Sequence, residues 1–230
     1  MSPNSPSATS GRDASAASEP RRRRKEARPS ELTAAALALF VEKGYAATRL
    51  DDVAARAGVS KGTLYLYFNS KEALFKAVVE ESIVPTLSAA EAQVASYQGP
   101  ITELLRELLF GWWAMYDQRG LTGVVKLIHA EANNFPEVAR YYHDTVIVRA
   151  RSLVRSILEC GIARGEFVAV DIESAVDVAF APMLMLMIWR HSLPLHGREI
   201  DPQAYLRTHY EFLLRSEERR VGKECLRLCR

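Results

Sequence analysis

Residues 48–74 read TRLDDVAARAGVSKGTLYLYFNSKEAL, and their spacing describes two short helices meeting at a sharp turn, with a third starting at once. Thr48 is placed to cap the first helix, with Asp51 three residues later in the manner of a capping box. Leu50, Val53, Ala54 and Ala57 fall at i, i+3, i+4 and i+7, a single apolar stripe. Gly58 supplies the positive φ at which that helix stops, and Val59 plugs the corner. Ser60 caps a second helix predicted over Lys61–Tyr67. Leu64 and Phe68 then face inward, which leaves Lys61, Gly62, Thr63, Tyr65 and Tyr67 facing out. A small residue permits close approach, while hydroxyls and a cation suit phosphates and base edges. The pattern is that of a helix-turn-helix whose second helix fits a major groove.

The run AGVSKGTLYLYFNSKEAL, preceded by a helix and turn ending LFVEKGYAATRLDDVA, resembles the DNA-binding domain of TetR-family transcriptional regulators over about residues 29–76. The resemblance implies an all-α fold: an N-terminal three-helix helix-turn-helix head, then a C-terminal helical ligand-binding and dimerisation bundle over residues 77–214. By position against that family's pattern, Thr48, Lys61, Thr63, Tyr65, Tyr67 and Lys71 match phosphate- or base-contacting sites, with Ser60 and Gly62 allowing close approach. It further implies a homodimer joined through its last two helices, a near-palindromic double-stranded operator and a small-molecule effector, with no cofactor. No run approaches a membrane span: the richest stretch, Val176 to Leu193, is interrupted by Asp177, Pro182, Arg190 and His191, which predicts a buried helix and no membrane. The segment KLIHAEANNFPEVARYYHDTV (126–146) is similar to the body of AefR-like regulators within that family.

Charge is unevenly distributed. Residues 1–28 carry seven Lys/Arg against three Asp/Glu, whereas residues 77–214 carry eleven against seventeen. An acidic body is repelled by DNA and so helps to point the head toward it. The first 28 residues are rich in Ser, Ala and Pro and then basic, which predicts a disordered arm. Within it, Arg21, Arg22, Arg23, Arg24 and Lys25 are either a solvated tail or an arm that enters a neighbouring minor groove.

Further helices are expected over Ser30 to Lys43 with Gly44 as a stop, Ser70 to Val84, Thr86 to Tyr97, Pro100 to Gln118, Gly120 to Asn133, and one long helix from Phe135 to Arg164 closed by Gly165. Two more run from Asp171 or Ser174 to His191 and from Pro202 to Leu214. No secretory segment opens the chain, which predicts a cytoplasmic protein. The run Arg215–Cys225 is similar to the translation of a common sequencing-adapter DNA. Residues 215–230 are accordingly set aside as a non-native tail, the alternative being a genuine charged terminus.

Nothing here reads as an enzyme. His129 and Glu131 form an H-x-E, but the downstream P-C-x-x-C of zinc deaminases is absent, and the two side chains lie about 200° apart on a helix. No nucleotide-binding or hydrolase motif occurs, and no metal-ligand spacing. The body instead concentrates broad and adaptable apolar side chains on two helices. Trp112, Trp113, Tyr116, Met183 and Met187 are the candidate walls of an effector pocket, with His129 and Asn133 as polar contacts. The main reading is a ligand-responsive repressor. The alternative is an effector-independent DNA-binding protein whose body core is filled by its own side chains.

Overall fold

The computed structural model describes residues 19–192 and 199–215, with side chains over 29–191 and 199–214. The stretch before residue 19, the loop at 193–198 and the tail from 216 lie outside the described residues, as do the side chains of Arg21 to Lys25. Among the described residues every element is helical.

Helix α1 spans Glu19–Ala47 and is kinked at Gly44, whose φ of 83° is open to glycine without strain. The sequence places the helix start near Ser30; the helix instead begins at Glu19, with Pro20 in its first turn and a run of Arg, Lys, Glu and Ala behind it, all good helix formers. Disorder predicted through residue 28 therefore does not hold for the backbone of 19–28. The remaining head helices are α2 (Leu50–Arg56), α3 (Lys61–Tyr65) and α4 (Lys71–Ser82). Leu32, Leu39, Phe40, Val53, Leu64, Leu74, Phe75 and Val78 meet in their common core. Gly58, at φ 67°, makes the corner between α2 and α3.

The body comprises α5 (Val84–Ser96), α6 (Ile101–Gln118), α7 (Thr122–Glu131), α8 (Pro136–Tyr142), a π-helical turn (His143–Ile147), α9 (Val148–Ala163), α10 (Ile172–Ser192) and α11 (Pro202–Arg215). The single long helix expected from Phe135 to Arg164 is thus continuous in extent but interrupted by the π turn. Asp171 provides the cap of α10, its carboxylate accepting the Ser174 amide at 3.0 Å. Head and body are not separate. α1 packs on α7 and α4 on α8. The head's apolar cluster continues without a break into Leu121, Val124, Leu127, Ile128, Val138 and Tyr142 of the body.

α10 is apolar all round. Its segment Ile172–His191 has mean hydropathy 1.6 and is long and apolar enough to cross a membrane by length and composition. It nevertheless carries Asp177 and packs against α7, α9 and α11. Its outward side leaves Val178 and Met185 exposed, beside Phe212 of α11 at 72% exposure.

Candidate nucleic-acid interface and ligand cavity

The short α3 is held by three local devices. Ser60 accepts the Thr63 amide at 3.1 Å, closing the first turn. Leu64, fully buried, pins the helix to the head core. Lys61 donates to the Asp51 carboxylate of α2 at 2.9 Å, a bond that holds its pKa above the ordinary lysine value. The helix ends at Tyr65 rather than Tyr67, and Leu66 follows as its C-cap, 83% exposed. Lys61, Gly62, Tyr65 and Leu66 are exposed, and Thr63 and Tyr67 are half-buried. The Lys61 ammonium lies 5.9 Å from the centroid of the Tyr65 ring. A Cβ added at Gly62 would meet only the Ser60 hydroxyl, at an ordinary 3.8 Å. Nothing inside the protein demands glycine there, so any demand comes from outside.

Two of the expected contact residues turn inward. Thr48 is 1% exposed; its hydroxyl lies 2.7 Å from the Gly44 carbonyl and 3.2 Å from that of Leu39. It locks the kink in α1 and is not the cap of α2, a position held by Arg49 without any side-chain bond. Lys71 donates to the carbonyls of Tyr45 at 2.6 Å and Ala46 at 3.0 Å, and its ammonium sits 4.5 Å from the Tyr45 ring centroid. Burial draws its pKa below the ordinary lysine value, with Glu131 opposing. Both residues satisfy orphan carbonyls at the end of α1, a need the local sequence does not display.

Arg49 is a cation that sequence reasoning passed over. Over residues 43–76, Lys43, Arg56, Lys61 and Lys76 each pair with a carboxylate. Arg49 is exposed and has no ionic partner among the described residues. Its place at the entrance of α2, two residues before the Asp51 that holds Lys61, was the available signal.

In the body, a cavity of about 320 Å³ lies among the α4–α5 junction, α6, α7, the π turn, α9 and α10. Trp112, Tyr116, His129, Met183 and Met187 line it. Trp113 does not. One residue further round α6, it is buried with Leu109, Val125 and Leu186, with the Arg190 guanidinium 5.8 Å from its ring. Asn133 is exposed in the turn after α7 and also stays outside. Residues not anticipated include Ile83, Tyr142, Val146 and Phe180, together with the ion pair of Arg151 and Asp177. Tyr116 and Tyr142 bond to one another; burial pushes the first up to about 12 and the second well above the ordinary tyrosine value, so both remain protonated near neutrality.

Ile83 ends α4 and begins α5. It belongs both to the cavity wall and to the cluster that fills the head, as do Tyr142 and Val146.

Two family models match the chain: "Bacterial regulatory proteins, tetR family" over residues 32–78, and "Tetracyclin repressor-like, C-terminal domain" over residues 98–202. Neither description names the AefR-like subgroup. Among curated proteins, the HTH-type transcriptional regulator YfiR of Bacillus subtilis is 34% identical over 93 residues, 36% of this chain and 45% of its own length. YerO, an HTH-type transcriptional regulator of the same organism, is 40% identical over 168 residues, 71% of this chain and 57% of its own. The chain therefore spans about half the length of these relatives. Among solved structures, the transcriptional regulator FadR from Bacillus subtilis in complex with stearoyl-CoA superposes with a TM-score of 0.67 at 20% identity, covering 80% of this chain and 97% of that one, a likeness of fold.

Proposed function

From a chain that belongs to the tetR family of bacterial regulatory proteins, and so to the DNA-binding helix-turn-helix transcriptional regulators, we propose a homodimeric cytoplasmic repressor, released from a near-palindromic operator by a small apolar or aromatic effector. The observation that carries this reading is the shared wall. A ligand in the cavity touches Ile83, the residue at which α4 leaves the head. Through α4 it acts on Leu74, Phe75 and Val78, which share the head core with Leu64 of α3. A ligand that prefers one tilt of α4 changes the spacing of two recognition helices in a dimer, and linkage requires operator DNA to weaken the ligand in return.

The dimer partner is a second copy of the chain. Val178, Met185 and Phe212 form an exposed apolar face on α10 and α11, and a two-fold mate covers such a face with its own. The DNA face comprises Lys61, Gly62, Thr63, Tyr65 and Tyr67, joined by Arg49, with Arg21 to Lys25 as an arm. The effector-independent alternative calls for a body packed solid, and the cavity is what weighs against it.

Footprinting on DNA flanking the coding region, with and without candidate apolar compounds, tests the reading. Protection of two half-sites about one turn apart, lost on adding a compound that binds the body, is the expected result. Compounds that bind without altering protection would leave a DNA-binding protein whose cavity serves some other end.

A further inference from the structure

The cavity does not end where its main volume ends. Trp112, Phe180 and Met183 line it on one side and, on the other, line a second void of about 30 Å³. Leu105, Ala179 and Leu213 of that void also line a third, of about 350 Å³, at the outer face of α10 and α11 beside Val178 and Phe212. The three spaces form a series along the bundle, from Ile83 near the head toward the outer surface. The partition between the first two is made by Met183 and a pair of rings, Trp112 and Phe180, with centroids 6.0 Å apart.

The cavity's charged groups already have partners within the protein. Arg151 is bonded to Asp177, with Glu173, the partner of Arg155, a further neighbour at 3.9 Å. Tyr116 and Tyr142 bond to each other, and His129 holds the Val125 carbonyl at 2.8 Å. Among the described residues no buried side-chain nitrogen or oxygen lacks a hydrogen-bond partner. A ligand carboxylate or phosphate would have to displace Asp177 from Arg151, and an ammonium would have to separate the same pair. Either exchange breaks an ion pair at the cavity mouth, a modest cost because the Asp177 side chain is 63% exposed and can turn to water. An uncharged chain disturbs none of these bonds.

We infer that the cavity takes an uncharged, single-tailed apolar molecule, and that Trp112 and Phe180 fix how long that tail is by closing the way into the second void. The inference rests on the reading of this cavity as a ligand site, but it makes its own demands. The neighbouring fold that carries stearoyl-CoA offers a long-chain ligand with a highly charged head; the occupied Arg151 and the acidic body point away from such a head here.

The test is calorimetric titration of the full-length chain with the straight-chain alcohols from hexanol to dodecanol and with the matching carboxylates at neutral pH. Alcohol affinity is expected to rise about fourfold for each added methylene up to a limiting length, then level off or fall. Each carboxylate should bind at least about tenfold more weakly than its alcohol, because its charge gains no free partner. Trp112→Leu, and independently Phe180→Leu, should move the limiting length to longer alcohols, with folding of each checked by circular dichroism. A carboxylate that binds as tightly as its alcohol overturns the charge assignment. A limiting length unchanged in either folded variant, or no limit in the parent chain, overturns the gate. Alcohols that bind with the expected limit yet fail to alter an operator footprint would leave this inference standing and remove the effector role. A compound that releases DNA while no alcohol binds would do the reverse.

Discussion

At the scale of single residues, the DNA face separates into side chains that reach outward and side chains that only resemble those that do. Tyr65, 46% exposed on α3, is free to stack or bond with a base edge. Tyr65→Ala should weaken operator binding by roughly 1–3 kcal/mol in a dimer that remains folded, as measured by fluorescence anisotropy. Lys71 and Arg49 make a matched pair for a second test. Each phosphate neutralised by a protein cation adds about 0.9 to the steepness of the log–log salt dependence of binding. Arg49→Ala removes one such cation from each protomer and should make the dimer's slope shallower by about 1.8. Lys71→Ala should keep its slope and instead lose about 1–2 kcal/mol of stability, since two carbonyls at the end of α1 are then without a charged donor. A shallower slope for Lys71→Ala would mean that its ammonium leaves Tyr45 when DNA arrives. This inward turn was not legible in the sequence, because the partners lie 25 and 26 positions away. Ser60, Ser70 and Asp171 were legible, because each cap accepts from an amide three residues on. The same limit separates Trp112 from Trp113. Adjacent residues on a helix diverge by about 100°, and only the positions of α7 and α10 decide which indole meets the cavity.

Among the elements, the π turn at His143–Ile147 changes what the body can hold. A π turn carries one residue more than an α-helical turn and often marks a functional site. Here Val146 and Ile147 fall within it and Tyr142, Ala150 and Arg151 flank it, and all five line the cavity. Deleting Thr145 removes the extra residue, restores a regular helix and withdraws the bulge that carries Val146 and Ile147 against the cavity. The expected outcome is lost ligand binding by calorimetry, while the isolated recognition surface, built on α1 to α4, retains its operator. Ligand affinity unchanged by the deletion would show that the turn is incidental to the cavity. Sequence periodicity gave the two ends of this helix, since Pro136 and Gly165 punctuate them. It gave no hint of the turn, because a one-residue excess within an apolar-rich run leaves the helical spacing on either side intact.

For the whole molecule, charge and core pull in different directions. Basic character gathers at the N-terminal end and acid in the body, so removing residues 1–28 should flatten the salt dependence of DNA binding by about 0.9 in slope for each phosphate that the arm had neutralised. An identical slope in the shortened chain would make Arg21 to Lys25 a solvated tail. The all-helical plan and its division into head and body were readable from residues 48–74 and from the Gly and Pro punctuation. The seam between head and body was not, for it is made by α1 on α7 and α4 on α8, elements far apart along the chain. That seam has a consequence for inheritance. With Leu39 and Phe40 in one continuous cluster with Val124 and Leu127, the head is not a cassette that recombination can exchange intact. A hybrid carrying another protein's head on this body must also match the apolar face of α7 and α8, or open voids worth several kcal/mol. Outward residues such as Tyr65 and Leu66 bear no such burden. New operators are therefore reached by point substitution on α3, and new heads only together with the helices they lean on.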